Sequence, residues 1–421
     1  MEMFSSYQVI MAVSIIVILS FLFNGLSQKT NIPSVLMLIV LGVGIQYGLK
    51  SMDVNMNFFP ILEVLGIIGL IMIVLEAALE LKLTRDKTMP ILKALLIALL
   101  GLLASTAAAA WVLYEFIPDM DWQSAWLYAT PLSILSSAII IPSVSGLSAK
   151  KREFHIYEST FSDIMGIMLF YFLTGKINPE HDTGLMGFAG NLLLTIVISL
   201  VASYAIILIF LRIKSSVKLF LLISVLLLLY AVAKHYHLSA LIIILIFGLI
   251  IANIKLFFGG PLRKYLDFEK AKHIYHELHI ITGETAFVVR TFFFVIFGIT
   301  IVLSSLLSPN VALISGLIIL SIYVIRYILL RLFIGKDIIP QLFVGPRGLI
   351  TVLLFYAIPK EVEVAAFEPG ILLFVIIGTS LIMTFAMIYD KQRSGGAIKR
   401  AERRKVEATK WVAPKIGDGN Q

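Results

Sequence analysis

The sequence predicts an all-α polytopic membrane protein with about thirteen transmembrane helices. Its 421 residues are 59% hydrophobic and only 14% charged, with a mean hydropathy of +0.97. A water-soluble protein of this size could not bury so much apolar surface, whereas a chain in a bilayer turns that surface towards hydrocarbon. Apolar stretches of roughly 20 residues, the length that crosses a bilayer as a helix, recur along the whole chain.

Thirteen such stretches are predicted to be transmembrane helices, joined mostly by short connections. They cover residues 7–24, 33–49, 58–81, 90–114, 124–147, 157–174, 184–211, 217–234, 238–257, 281–304, 311–333, 343–358 and 369–389. Residues 1–389 are therefore expected to form one transmembrane domain. Residues 390–421 follow it as a basic tail that contains KQRSGGAIKR and ERRK.

Lysine and arginine are distributed unevenly over the connections. They cluster after odd-numbered helices, in LKLTRDK, SAKKREF and RIKSSVK, whereas connections after even-numbered helices are acidic or neutral, as in YEFIPDMDW. Because basic loops stay on the cytoplasmic side, we expect a protein of the cell (inner) membrane with its N-terminus outside and its C-terminus cytoplasmic. The net charge of +8 then reflects contact with membrane lipids and requires no nucleic acid.

Ionisable side chains deep in hydrocarbon cost at least about 2.5–3.5 kcal/mol and are therefore candidates for function. Asp163, in YESTFSDIMGIMLFYF, is the only aspartate that the predicted spans place near the midplane. It lies about 15 Å from the basic SAKKR loop at the helical rise per residue. The other deep ionisable residues are Glu76, Glu158, Arg290, Arg326 and Arg347, with Glu284 marginal. A permanent pairing of Asp163 with an arginine is the alternative, although two glutamates are available to the three arginines.

Helical geometry separates the neighbours of Asp163. Ser159 precedes it by four residues, so its hydroxyl shares a helix face with the carboxylate. Glu158 precedes it by five residues and is rotated roughly 140° away. Asp163 and Ser159 are therefore the candidate ligands of a monovalent cation or a proton, and Glu158 is better placed to hold an arginine of a neighbouring helix.

Two predicted helices are interrupted. In the fifth, YATPLSILSSAIIIPSVSGL, two prolines bracket Ser136 and Ser137, and in the twelfth, FVGPRGLITVLLFYAIP, Pro346 lies between glycines. Interrupted helices expose backbone carbonyls that can bind ions, and Thr130, Ser136 and Ser137 are further candidate ligands. The two segments are seven spans apart and enter from opposite sides, which is typical of an inverted repeat that pairs helices 4–6 with 11–13. Simple kinks at the prolines are the alternative.

Four motifs resemble the monovalent cation/proton antiporter superfamily, in particular its bacterial sodium/proton exchanger branch. They are LEAALELKL, ESTFSD, FVVRTFFFVIFGITI and GPRGLITVLL, in matching order and spacing over helices 2 to 13. The resemblance implies an inverted-repeat antiporter fold with two crossing broken helices. It also implies a homodimer in which helices 4–6 and 11–13 form a mobile ion-binding core and the remaining helices form the dimerisation scaffold.

The resemblance also implies roles for individual residues. Asp163 would bind the cation and the proton, Ser159 would be a ligand, and Glu76 would be an accessory acid near the site. A structural ion pair would join Glu158 to an arginine, either Arg326 or Arg347. The fifth helix departs from the branch, which usually carries Thr-Asp-Pro there, because LSSAI contains no carboxylate and is similar to the Ser-Ser-Thr-Ala of potassium-efflux antiporters.

The expected function is secondary active antiport of a monovalent cation for H⁺ by alternating access, with Na⁺ favoured and K⁺ or Li⁺ left open. One deep carboxylate that binds either ion predicts one-for-one, electroneutral exchange. We expect no enzymatic activity and no cofactor: an intramembrane aspartyl protease needs two facing aspartates, and the chain has no cysteine. A cation channel or a non-transporting sensor on the same scaffold remains as an alternative.

Overall fold

The computed structural model describes residues 6–30, 32–52, 58–83, 87–177, 184–213, 218–235, 240–257, 268–301, 305–306 and 308–408. Within these ranges the chain forms fifteen α-helices and no strand, which confirms the predicted all-α fold. The helices are α1 (Ser6–Thr30), α2 (Ser34–Ser51), α3 (Phe59–Glu80), α4 (Thr88–Phe116), α5 (Trp122–Ser133), α6 (Ser137–Ser143), α7 (Ala149–Gly175), α8 (Gly184–Arg212), α9 (Lys218–His235), α10 (Ala240–Ala252), α11 (Ile254–Phe257), α12 (Phe268–Thr300), α13 (Pro309–Phe333), α14 (Leu349–Tyr356) and α15 (Gly370–Ala408).

Nine stretches of the described chain are helical, long and apolar enough to cross a membrane. They are Ser6–Ser27, Ser34–Ser51, Pro60–Glu80, Thr88–Phe116, Trp122–Ser143, Leu193–Phe210, Lys270–Thr300, Pro309–Phe333 and Gly370–Lys391. The helices α9 and α10 contain shorter apolar stretches, α7 is long but more polar, and α14 is short. Together these elements follow the order of the thirteen predicted spans.

The helices pack in two groups. The first, which we call the core group, comprises α4–α7 and α13–α15, and the second, the frame group, comprises α1–α3 and α8–α12. The helix α3 links the groups because it also contacts α7 and α14. The core group contains the helices predicted to bind the ion, and its movement against the frame group stays a prediction.

Two glycines bring the backbones of α2 and α12 into direct contact within the frame group. A Cβ atom on Gly42 would lie 2.9 Å from Gly298 Cα and would overlap the carbonyl oxygen of Val295. Small residues of this kind allow membrane helices to approach closely. At the end of the same interface the Gln46 side chain donates a hydrogen bond to the Ile301 carbonyl oxygen over 2.8 Å.

The end of the first helix contacts the middle of the last one. The Lys391 ammonium group, near the end of the last predicted span, donates to the carbonyl oxygen of Lys29, in the last turn of α1, over 3.4 Å. The start of α1 and the end of that span therefore lie on opposite faces of the molecule, as an odd number of crossings requires.

Candidate functional site

The two interrupted segments cross each other. The first is extended between the end of α5 at Ser133 and the start of α6 at Ser137, and the second is extended over residues 344–348 before α14. The backbone N–H of Ser136 donates to the carbonyl oxygen of Pro346 over 2.9 Å, which joins the two extended chains. This bond satisfies a buried backbone donor that the missing helical turn leaves without a partner.

The twelfth predicted span differs from the structure in extent. A helix was expected over 343–358, but only Leu349–Tyr356 is helical. Pro346 has no N–H to donate, and the glycines on either side of the Pro346–Arg347 pair weaken helix formation. Gly348 is also required sterically, because a Cβ atom there would lie 2.5 Å from the Ser136 hydroxyl oxygen.

Arg347 occupies the end of α5 at this crossing. Its guanidinium group is buried and donates to the carbonyl oxygens of Leu132 at 3.0 Å and Ser133 at 3.2 Å, and also to that of Gly345. The carbonyl oxygens of Leu132 and Ser133, at the end of α5, accept no hydrogen bond within the helix and carry the negative end of its dipole. Arg347 therefore stabilises the broken helix and, in this arrangement, does not pair with Glu158.

Glu158 instead pairs with Arg326 of α13. The oxygen–nitrogen distances are 2.9 Å and 3.3 Å, and both side chains are buried. Arg326 also donates to three carbonyl oxygens of the chain that leads into the crossing, those of Gln341, Leu342 and Val344. On the other side of the pair, His155 Nδ1 lies 3.3 Å from Glu158. One arginine thus ties α7 and α13 to the second interrupted segment.

Asp163 lies beside the first interruption and is 3% exposed. Neither of its carboxyl oxygens has a hydrogen-bond partner among the described residues. The hydroxyl and the backbone N–H of Ser137 face it from the start of α6 without completing a hydrogen bond, and the Ser137 hydroxyl is itself buried without a partner. The Asp163 carboxylate and the Ser137 hydroxyl therefore lack hydrogen-bond partners in the described structure, which is unusual for buried polar groups.

The other predicted ligands are also buried. Ser159 and Thr130 donate their hydroxyl protons to carbonyl oxygens one turn earlier in their own helices, over 2.7 Å and 2.8 Å. Their oxygen lone pairs are not used by these bonds. Ser136 takes part through its backbone at the crossing, as described above, and its side chain is also buried.

Sequence reasoning missed two hydroxyl groups on α7. The Ser162 oxygen accepts a hydrogen bond from the Leu135 backbone N–H at 3.0 Å and so fixes α7 against the interruption. Thr160 is fully buried, and its hydroxyl has no partner among the described residues. It precedes Asp163 by three residues, a spacing that places both on one side of the helix, and this spacing could have identified it.

Glu76 lies on the frame side of the site. Its carboxylate pairs with Arg290 of α12 at 2.9 Å, and the same guanidinium group donates to the Ala138 carbonyl oxygen of α6 at 3.0 Å. The side chain of Glu76 is 26% exposed, in contrast to Asp163. The structure thus connects Glu76 to the site through α6, whereas the sequence alone assigned no partner to Arg290.

Two comparisons with known proteins agree with this geometry. Residues 13–388 match the profile of a family described as sodium/hydrogen exchanger, transmembrane. The fold is similar to a structure of the sodium proton antiporter MjNhaP1 from Methanocaldococcus jannaschii at pH 8, with 20% identity, a TM-score of 0.66 and coverage of 90% of this chain and 98% of that one. A second structure, from an electron-microscopy map of MjNhaP1, gives 19% identity, a TM-score of 0.66 and coverage of 93% and 97%. A comparison with curated sequences found no match.

Proposed function

This chain belongs to the sodium/hydrogen exchanger family and works by secondary antiport, and on that premise we propose that Asp163 binds the cation and the proton in turn. One observation carries the proposal. Asp163 is 3% exposed, yet neither carboxyl oxygen accepts a hydrogen bond within the described part of the chain. Burial disfavours a bare carboxylate, so this group is neutralised by whichever ion reaches it.

The hydroxyl groups around Asp163 support a cation site. Ser137 faces the carboxylate from α6, and Ser159 lies one turn before it on α7. Together with Ser136, Thr130 and the carbonyl oxygens freed at the interruption, they supply the hard oxygen ligands that alkali cations prefer. Na⁺ is the favoured cation, and K⁺ and Li⁺ are the alternatives.

The charges of the site support one-for-one exchange. Glu158 is paired with Arg326, and the Arg347 guanidinium group is bound by carbonyl oxygens at the end of α5. Among the described residues, Asp163 is the only buried carboxylate without an ion-pair partner. One such group binds one proton or one monovalent cation per half-cycle, so no net charge crosses the membrane.

The proposal also includes how the protein moves, assembles and is oriented in the membrane. The core group moves against the frame group between two access states, and the protein is a homodimer in the cell (inner) membrane. The N-terminus lies outside and the C-terminus lies in the cytoplasm. The lysine and arginine clusters of the predicted cytoplasmic connections support this orientation. The contact between Lys391 and Lys29 supports the narrower point that α1 and the last predicted span end on the same face.

The decisive experiment is a cation panel in proteoliposomes loaded with a pH-sensitive dye. Addition of Na⁺, K⁺ or Li⁺ is expected to dequench the dye for the wild type and to give no response for Asp163→Asn. Asp337→Asn is the matched control, because the Asp337 side chain is 81% exposed and pairs with Lys151 instead of facing the site. Full exchange by Asp163→Asn would refute the site, and a silent wild type with every cation would favour a sensor over a transporter.

A second measurement tests the stoichiometry. If the exchange is one-for-one, an imposed membrane potential drives no cation uptake when the pH is equal on both sides. Uptake that follows the potential would rule out electroneutral exchange, although it would leave Asp163 as the binding carboxylate.

A further inference from the structure

One side chain reaches from the frame group to the core group at the level of the site. Arg290 belongs to α12, and its guanidinium group lies between Glu76 of α3 and the Ala138 carbonyl oxygen of α6. The two distances are 2.9 Å and 3.0 Å. The planar guanidinium group allows one side chain to donate in two fixed directions at once.

The acceptor of this bond is part of the site. Ala138 directly follows Ser137, whose hydroxyl faces Asp163, and α6 comprises only seven residues after the interruption. A bond to the first turn of such a short helix fixes where that helix lies relative to α3. Arg290 therefore joins the frame group to the core group beside the site without touching the carboxylate of Asp163.

The remaining contact between α3 and α14 is apolar. A Cβ atom on Gly66 would overlap the Leu353 side chain, with its Cγ atom 3.5 Å away. Apolar surfaces of this kind can slide past each other, because dispersion contacts have little directional preference. Two directional contacts between the groups would oppose such sliding. The Tyr157 hydroxyl of α7 donates to the Lys82 carbonyl oxygen after α3 over 2.8 Å, and Arg290 donates to Ala138, which places the second bond on the helix that begins at the interruption.

We propose that Arg290 is a latch that holds the core group against the frame group in the access state seen in this structure, with Glu76 as the carboxylate that keeps the latch in place. The proposal rests on the function proposed above, since movement of the core group breaks the bond to Ala138. The side chains of Arg290 and Glu76 are 15% and 26% exposed. The Glu76 carboxylate stays beside the guanidinium group when the bond to Ala138 breaks, which makes the latch reversible.

The absence of cysteine from the sequence allows a direct test. A pair of substitutions, Gly66→Cys and Leu353→Cys, places two thiols across the contact of α3 with α14, and the rate of disulfide formation reports how often the two groups adopt the present arrangement. In this background, Arg290→Gln is expected to slow disulfide formation by roughly three- to tenfold, the factor for the loss of one hydrogen bond of ordinary net strength.

Three further variants sharpen the test. Arg290→Lys keeps a positive charge beside Glu76 but lacks the planar guanidinium group that bonds to two acceptors, so we expect slower disulfide formation here as well. This variant replaces Arg290→Gln if Arg290→Gln does not fold. Glu76→Gln removes the carboxylate and is expected to give an intermediate rate. Arg331→Gln, which alters an arginine bonded to Gly335 in an exposed region, is the control and is expected to leave the rate unchanged.

Transport assays separate a latch from a ligand. Since Arg290 bonds to Ala138 and Glu76 and to none of the proposed hydroxyl ligands, its variants should change the turnover rate and leave the ratio of apparent affinities for Na⁺, K⁺ and Li⁺ as in the wild type. Disulfide formation at the control rate in both Arg290 variants, or an altered cation ratio, would overturn the proposal. The disulfide readout needs no antiport, so a failure of the Asp163→Asn test would leave it interpretable.

Discussion

Glu158 and Arg326 form a two-point ion pair inside the core group, and their side chains are 1% and 7% exposed. The pair closes a connection from α7 through α13 to the carbonyl oxygens that precede the crossing. Removal of one partner from a buried ion pair destabilises the folded state, because the desolvation free energy of the remaining charge is then not compensated. It is therefore a structural element of the core group.

Loss of one partner should destabilise the protein strongly. Glu158→Gln leaves Arg326 buried with carbonyl acceptors only, and we expect a loss of about 3–5 kcal/mol in the free energy of unfolding. Thermal unfolding of the purified protein in detergent measures the effect. Asp337→Asn, which breaks the exposed pair with Lys151, should cost less than about 1 kcal/mol. Equal melting temperatures for the two variants would contradict a structural role of the buried pair.

The crossing should not tolerate a side chain at Gly348. In Gly348→Ala, the new methyl group would lie 2.5 Å from the Ser136 hydroxyl oxygen and 2.9 Å from Ile139 Cδ1. We expect a destabilisation of about 1–3 kcal/mol, the usual range for overpacking, together with a loss of exchange. Gly316→Ala is the matched control, because a Cβ atom on Gly316 of α13 has no neighbour within 4 Å. The idea fails if both variants melt and transport alike.

Ser137 should matter for binding more than for stability. Its hydroxyl is buried without a partner in the described structure, so Ser137→Ala removes no hydrogen bond and should leave the melting temperature nearly unchanged. If that hydroxyl binds the cation, the apparent KM for the cation rises in the dye assay. The control is Ser133→Ala, which removes a bond to the Ala129 carbonyl oxygen at 2.9 Å and should reduce stability by roughly 1 kcal/mol. An unchanged KM in Ser137→Ala would remove this residue from the site.

Asp121 should make stability depend on pH at the start of α5. Its carboxylate is partly desolvated, but hydrogen bonds from Ser124 and Gln123 outweigh that effect and hold the pKa of Asp121 below its ordinary value. A lowered folded-state pKa gives a stabilisation that is complete above the ordinary pKa of about 4 and is lost as the pH falls through the lowered value.

The corresponding test compares the wild type with Asp121→Asn, which keeps a capping oxygen but carries no charge. The wild type should melt at the higher temperature near pH 7, and the difference should shrink as the pH falls below the ordinary Asp pKa of about 4. Asp119→Asn, in the same connection and also exposed, serves as the control. A difference that grows on acidification would have the wrong sign and would contradict the lowered pKa.

Much of the fold was predictable because the bilayer imposes simple rules on a sequence. A spanning helix needs a minimum apolar length, and a charged side chain within it is costly unless it is paired or serves a function. These rules located the spans and led to Asp163, Glu158 and the two interruptions. The family resemblance limited the partner of Glu158 to two arginines, of which the structure selects Arg326.

The remaining features depend on contacts between distant segments. The hydrogen-bonded residues Arg290 and Ala138 are 152 positions apart in the sequence, and Arg347 and Leu132 are 215 positions apart. Both acceptors are backbone carbonyl oxygens, which every residue has, so no side-chain pattern marks them. The short length of α14 is likewise set by the crossing chain, since the glycines and the proline of the segment permit an extended path without requiring it.

The contact between Gly42 and Gly298 has a mechanical consequence for the frame group. With backbone against backbone, no side chain lies between α2 and α12 at this point that could change rotamer and let one helix creep along the other. The close contact therefore favours movement of the two helices as one unit. If a thinner or thicker bilayer tilts them together, Arg290 on α12 keeps its height relative to α2.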